Sequence, residues 1–137
     1  MNLYTKIVPL FILLSLFLTK SVSIPDNFDD IPRDIAIAFK VGTAKELSRF
    51  FNENLELEVE GKENVYSKSQ AERIMDNFFT KYPPKDFEFV HKVGKEEAQY
   101  AIGKLTTFNG NFRVVMLLKN KNGKKLIHQL RIENENE

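Results

Sequence analysis

Two histidines, His91 and His128, are the side chains of this sequence best suited to proton transfer, because an imidazole titrates near neutral pH. Each lies in a run of residues that predicts a β-strand. No carboxylate stands at a spacing that would orient either ring. On the first and last strands of a meander the two rings would be roughly 14 Å apart, too far to share a metal ion. We therefore expect each ring to bond with backbone or water; a proton shuttle and a ligand contact are the alternatives.

Other chemistries lack the residues that they need. The sequence has no cysteine, which excludes disulfides and thiolate metal sites, and it has no Gly-x-Ser-x-Gly nucleophile motif. Its six glycines stand singly, so no phosphate-binding loop is indicated. The acidic segment 26–30 lacks the spacing and the glycine of a calcium loop and is interpreted as a helix cap or a solvated end. We predict no catalytic residue, no cofactor and no metal site.

The first 23 residues have the pattern of a signal peptide. Lys6 precedes an apolar run over residues 7–18, which is too short to cross a bilayer, and Ser21 and Ser23 are the small residues that a signal peptidase requires. We predict cleavage before Ile24 and a bacterial product that is periplasmic or extracellular; an uncleaved membrane anchor is the alternative. Loss of Lys6 and Lys20 changes the net charge from +1 to −1, which argues against binding to nucleic acid or to a membrane surface.

Residues 24–133 are predicted to form one α+β domain, followed by a frayed acidic tail at 134–137. A first helix is capped by Asp29 or Asp30 and ends at Gly42. A second begins with a capping box from Thr43 to Glu46. Residues 55–59 alternate like a strand, a turn follows at 61–64, and residues 65–66 add only a stub.

The longest helix is predicted over about 67–82, with a capping box from Ser67 to Gln70 or from Ser69 to Glu72. Its apolar residues recur with helical spacing on one wide stripe, which is typical of a core helix. The stripe consists of Ala71, Ile74, Met75, Phe78, Phe79 and Tyr82.

Four strands with short turns follow, over about 86–93, 97–108, 111–120 and 124–133, and predict an antiparallel meander. A two-residue loop at Asn122-Gly123 would place Gln129 and Arg131 on the apolar face of the preceding strand. A three-residue loop over 121–123 aligns apolar residues on both strands, and we choose it. The inner face then includes Phe87, Phe89, His91, Val93, Ala101, Gly103 and Leu105, with His128 opposite.

The two faces of this meander predict two binding surfaces. A pocket between the long helix and the inner face would be lined by His91, His128, Phe89, Met116, Phe78 and Tyr82. The outer face carries an apolar belt edged by lysine and arginine, formed by Val90, Tyr100, Ile102, Val115, Leu117 and Ile127. Contiguous apolar surface of this kind favours a partner or self-association interface; an ordinary surface shaded by long basic side chains is the alternative.

This order of elements resembles the nuclear transport factor two-like superfamily, whose members have the cystatin-like α+β cone. With the signal peptide, Lys45-Glu46-Leu47, Phe50-Phe51, Ala71-Glu72 and Phe78-Phe79, the stretch 35–132 resembles an exported bacterial family, domain of unknown function 4783. The superfamily includes isomerases, dehydratases, dioxygenase subunits and non-catalytic binding modules. The resemblance therefore implies a site at the mouth of the cone and fixes no activity.

We expect an exported, non-catalytic module that binds an envelope protein partner, a second copy of itself through the outer sheet, or a small apolar ligand in the cone. One alternative is an isomerase or dehydratase that uses His91 or His128 as its general base. Another is a subunit that only stiffens an envelope assembly.

Overall fold

The computed structural model describes residues 30–136, so the predicted signal peptide lies outside the described part of the chain. Within it, three helices and six strands follow one another in a single α+β arrangement, as the sequence predicts. Their order is α1 (Arg33–Val41), α2 (Ala44–Ser48), β1 (Phe51–Val59), β2 (Lys62–Ser67), α3 (Lys68–Lys81), β3 (Pro84–Lys95), β4 (Ala98–Thr107), β5 (Gly110–Lys121) and β6 (Lys124–Asn134). No helix in this part of the chain is both long and apolar enough to cross a membrane.

All six strands form one sheet in the order β2-β1-β6-β5-β4-β3. The predicted antiparallel meander of β3 to β6 is confirmed. β1 lies parallel to β6, and β2, which is a full six-residue strand rather than a stub, pairs with β1 through a tight turn at Glu60-Gly61. The three helices precede or interrupt the strands so that α1 packs on β3 and α3 packs on β1 and β2.

Local capping explains where α3 begins. Ser67 accepts a hydrogen bond from the Gln70 N–H, and the Gln70 side chain accepts one from the Ser67 N–H, which confirms the first of the two predicted capping boxes. The predicted box at Thr43 is wrong: its side chain makes no cap, and Glu46 pairs instead with Arg49 at 3.0 Å.

The start of α1 also differs from prediction, while its end agrees. The residue at the N-cap is Pro32, without a side-chain hydrogen bond, and the carboxylate of Asp30 is engaged by the sheet instead. Gly42 ends the helix in the left-handed conformation (φ 77°), and its N–H donates to the Ala38 carbonyl.

Aromatic side chains fill the space between helices and sheet. Phe39 stacks on Phe87 at a centroid distance of 4.7 Å and meets Phe79 edge-on at 5.9 Å. The Phe87 ring in turn lies where a Cβ on Gly103 would be, 2.3 Å from its Cζ. The absence of a side chain at Gly103 therefore gives room to this ring and does not leave a cavity.

The β5–β6 hairpin has a two-residue turn, so the predicted three-residue loop is wrong. Asn122 and Gly123 both have positive φ, 54° and 80°, as a type I′ turn requires. A bulge at His128 then shifts the register, so that Leu118 pairs with Ile127 and Leu117 pairs with Gln129. The extra residue returns the apolar side chains of β6 to the inner face. The bulge thus has the effect that the prediction assigns to a longer loop.

A second bulge divides β3 at Val90. Phe89 pairs with Gly103, but His91 pairs with Ile102. Residues beyond the bulge therefore change faces: His91 and Val93 lie on the outer face and Lys92 on the inner face. The prediction that His91 and Val93 face inward is wrong for this reason.

The chain remains paired beyond residue 133, where the sequence predicted a frayed tail. β6 continues to Asn134, which pairs with Phe112, and the Glu135 N–H donates to the Asn111 carbonyl at 3.1 Å. The strand pairing of β6 thus continues one residue past 133, and one further backbone hydrogen bond follows it.

Candidate functional site

Within residues 30–136 the six residues predicted to line one pocket are not brought together, although Tyr82 lines one surface cleft and Phe78 lines another. Met116 and Phe78 are buried in the core, Tyr82 packs against Phe112 at 4.8 Å, and Phe89 packs against Phe87 at 5.1 Å. His91 is exposed on the outer face. Helices and sheet meet through a packed aromatic core, and this arrangement corrects the expectation of a cavity lined by both histidines.

His128 lies at the bulge of β6, where its Nε2 is buried without a hydrogen-bond partner among residues 30–136. Burial lowers the pKa of His128, and Lys119 and Lys121 lower it further. The Oδ1 atom of Asn52 is also buried without a hydrogen-bond partner among residues 30–136. Asn52 lies on β1 next to Phe51, which pairs with Ile127 of β6. The charges of Lys119 and Lys121 are cationic, so they disfavour the protonated imidazole.

Two clefts open near the C-terminal end of α3, on either side of Glu60. The larger, of about 410 Å³, is lined by Glu58, Glu60, Gly61, Tyr82, Phe112, Ile132, Glu133 and Asn134. The smaller, of about 270 Å³, lies between α3 and the β1–β2 hairpin. Both open to solvent.

The carboxylates of these clefts are already paired. Arg131 donates to Glu58 at 2.8 Å and lies 3.2 Å from Glu133. Lys81 and Tyr82 donate to Glu60, and the bond from Lys81 is the largest cause that lowers the pKa of that carboxyl. Among residues 30–136 no three His, Asp or Glu side chains are grouped to hold a metal ion. The carboxylates of the clefts are therefore held by neighbouring cations and, at Glu60, also by the Tyr82 hydroxyl.

The outer face of the sheet carries a contiguous apolar area, which we call the outer patch. Its residues are side by side on β3, β4 and β5: Val93, Tyr100, Ile102, Val115 and Leu117. Four of these belong to the predicted belt, and Val93 joins them because of the bulge in β3. Val90 is exposed at that bulge, but Ile127 is fully buried on the inner face, so its predicted place in the belt is wrong.

Burial within the outer patch is graded. Leu117, on β5 at the side of the patch nearest β6, is only 8% exposed although it does not belong to the core cluster, whereas Tyr100 and Val93 are about half exposed. Leu117 pairs with Tyr100 on one side and with Gln129 on the other. Its neighbours on the same face therefore shield it, and the patch is a continuous surface rather than scattered side chains.

Acidic residues occupy the other half of the outer face, on β1 and β2. Gln129 donates to Glu56 at 2.8 Å, and Arg131 donates to Glu58. The neighbouring carboxylates of Glu56 and Glu58 raise the pKa of Glu63, with the interaction with Glu56 as the largest cause. The two halves of this face thus differ in character: one is apolar and the other is acidic.

Asp30 forms a polar cluster that the sequence did not indicate. Its carboxylate accepts hydrogen bonds from Lys92 at 2.8 Å, from Lys125 at 3.2 Å and from Gln99. Lys125 also donates to the Gln99 Oε1 at 2.8 Å. The partners are 62 to 95 residues away from Asp30 in sequence. The one sequence signal for this site is that a polar residue, Gln99, stands at a position that faces inward. These bonds outweigh burial and hold the pKa of Asp30 well below its usual range.

Comparison with known proteins identifies relatives of the whole domain. The model of a family described as Domain of unknown function (DUF4783) matches residues 32–133. A DUF4783 protein of Bacteroides ovatus is similar in structure, with 38% identity, a TM-score of 0.74, and coverage of 79% of this chain and 98% of that one. A second, from Bacteroides uniformis, has 33% identity, a TM-score of 0.74, and coverage of 78% and 99%.

More distant structures share the fold alone. A domain of unknown function with a cystatin-like fold from Nostoc punctiforme has 10% identity and a TM-score of 0.61, and the match covers 75% of this chain and 72% of that one. Two structures whose names contain NTF2, the abbreviation of nuclear transport factor two, are similar at this level too, with 14% and 18% identity and TM-scores of 0.58 and 0.59. A de novo designed protein with a curved β-sheet has 12% identity and a TM-score of 0.62. No curated protein matches the sequence.

Proposed function

The chain belongs to the DUF4783 family and has a nuclear transport factor two-like cone, and from this premise we propose that it is an exported, non-catalytic module that binds a second copy of itself through the outer patch. The observation that carries the proposal is the apolar continuity of Val93, Tyr100, Ile102, Val115 and Leu117 across three strands. Surface of this kind in a water-soluble domain usually meets a partner.

The filled core supports binding at a surface. Met75, Met116 and Leu105 are fully buried among the aromatic rings, so the core of the described domain holds side chains at the place where a small apolar ligand was expected. His91 and His128 lie apart from one another and outside the core cluster, which favours a module without a proton-transfer site.

Charge complementarity favours a second copy as the occupant. In one row across the outer face, Glu88 pairs with Lys104 and Lys104 pairs with Arg113. A twofold axis parallel to the strands and over β4 would lay β3 of one copy on β5 of the other. Glu88 then faces Arg113 of the second copy on both sides of the axis, and these two opposite-charge pairs flank the contact between Lys104 and its counterpart on the axis. The acidic halves on β1 and β2 would then lie at opposite flanks, where they do not repel one another.

Replacement of Tyr100 by glutamate tests the proposal. A charge at the centre of a desolvated apolar interface is left unpaired, so we expect the Tyr100→Glu protein to sediment as a monomer where the natural sequence sediments as a dimer. The matched control is Phe108→Glu, which changes an exposed aromatic residue at the β4–β5 turn, outside the outer patch. This variant should remain a dimer.

The proteins are produced from the full sequence, so the same preparation reports on export. We expect the mature chain in the periplasmic or secreted fraction to begin at Ile24, as N-terminal sequencing will determine. A natural protein that is monomeric at 100 µM or above contradicts the proposed self-association, and a retained N-terminus in the cytoplasm contradicts export.

A further inference from the structure

The group around Asp30 has the composition of an anion-binding site whose ligand belongs to the chain itself. Three donors converge on the two oxygens of one carboxylate, and they come from three strands: Lys92 from β3, Gln99 from β4 and Lys125 from β6. Two of the donors are cationic, and charge-assisted hydrogen bonds of this kind are the stronger class. We call these three residues the carboxylate cradle.

The sheet sets the backbone positions of the carboxylate cradle. Lys92 pairs with Ala101 beyond the bulge of β3, and Gln99 pairs with Leu118 in the regular β4–β5 ladder. Lys125 and Gln99 are joined directly by their own hydrogen bond of 2.8 Å. Asp30, in contrast, lies before α1 and outside the sheet. Gln99 and Lys125 are thus held together independently of Asp30, and the ligand is on a separate segment.

Because the carboxylate cradle is largely buried, loss of its anion is unfavourable. Gln99 is 3% exposed, and the side chains of Lys92 and Lys125 are only 17% and 13% exposed. If Asp30 were withdrawn, the Gln99 Nε2 would lose its acceptor in a place with little access to water, which is unfavourable. A carboxylate from solution would restore that bond and the compensation of charge.

We propose that Lys92, Gln99 and Lys125 form a carboxylate-binding site, which Asp30 fills in cis and which a small free carboxylate fills when Asp30 is displaced or absent. The segment that carries Asp30 therefore competes with such a ligand. This proposal concerns the inner side of the sheet and is independent of the outer patch.

Chemical rescue of an Asp30→Ala protein tests the site, with sodium formate as the probe. Formate corresponds to the carboxylate group of aspartate without the Cβ, which alanine retains, so it matches the group that the substitution removes. We expect formate to raise the melting temperature of Asp30→Ala by a few degrees with saturation in the millimolar range, whereas sodium chloride of equal ionic strength does not. The natural protein should show no difference between the two salts.

Two further variants test whether the effect of formate depends on the carboxylate cradle. Gln99→Leu in the Asp30→Ala background removes the buried donor and should abolish the formate-specific shift. Glu58→Ala removes a different carboxylate, which an arginine of the outer face binds, and should show no formate-specific shift either. An equal response of Glu58→Ala and Asp30→Ala to formate overturns the proposal.

A second measurement applies if Asp30→Ala does not fold in chloride buffer. Refolding is then followed by circular dichroism in formate and in chloride at the same ionic strength. Recovery of the native spectrum in formate only supports the site, and equal recovery or equal failure in the two salts overturns it.

Discussion

Single residues set the fit between the sheet and the aromatic core. Phe87 lies between Phe39, on which it stacks, and Gly103, whose missing side chain leaves space for its ring. Phe89 also holds the Phe87 ring in place, through an edge contact at a centroid distance of 5.1 Å. A single carbon added at position 103 therefore has no flexible neighbour that could yield.

Gly103→Ala tests this fit. The new Cβ would overlap the Phe87 ring, and we expect the free energy of unfolding to fall by about 1–3 kcal/mol, the usual effect of overpacking. Chemical denaturation measures the change. Phe87→Leu in the same protein shortens the obstructing side chain, so the double variant should lose less than the sum of the two single changes; strict additivity would contradict the contact.

At the scale of elements, the two bulges decide which side chains face the core. The bulge at His128 allows the two-residue Asn122-Gly123 turn to coexist with an apolar inner face on β6. It also leaves the His128 Nε2 buried without a partner among the described residues, which lowers the pKa of the ring. The bulge therefore links the stability of this hairpin to pH.

The sign of that dependence follows from the pKa. In the unfolded chain His128 has its ordinary pKa of about 6.5. As the pH falls, the unfolded chain therefore takes up a proton at His128 at a higher pH than the folded chain does. Stability should be greatest above this pH and should decrease as the pH falls below it toward the lower folded-state pKa. We expect His128→Gln to flatten the thermal stability curve between pH 7 and pH 5; an unchanged slope would contradict the effect.

Sequence patterns predicted the elements better than their faces. The stripe from Ala71 to Phe79 and its Ser67 cap define α3 because both signals are local. A bulge inserts one residue without changing the alternation on either side, so the outward position of His91 and the inward position of Ile127 could not be read from period-two patterns. The carboxylate cradle was out of reach for a different reason: its groups meet only when three strands and the start of α1 come together.

In the molecule as a whole, the fold keeps three features apart: the core, the carboxylate cradle and the outer face. The core is closed by aromatic packing, the carboxylate cradle ties the segment before α1 to the sheet, and the outer face carries an apolar half beside an acidic half. Only the outer patch presents a broad apolar area to solvent among these, and the proposed twofold assembly would cover it. The account as a whole therefore depends on how two copies meet over β4.

Thiol cross-linking measures that geometry most directly, and the absence of cysteine in the sequence makes it specific. With the axis over β4, Ile102 of one copy faces Ile102 of the other at about 10 Å, the spacing of face-packed sheets. A bismaleimide of that span should therefore join Ile102→Cys into dimers at micromolar protein concentration. Val65→Cys, on the same face but on the distant strand β2, should stay monomeric in the denaturing gel. Dimers from Val65→Cys with none from Ile102→Cys would contradict the assembly.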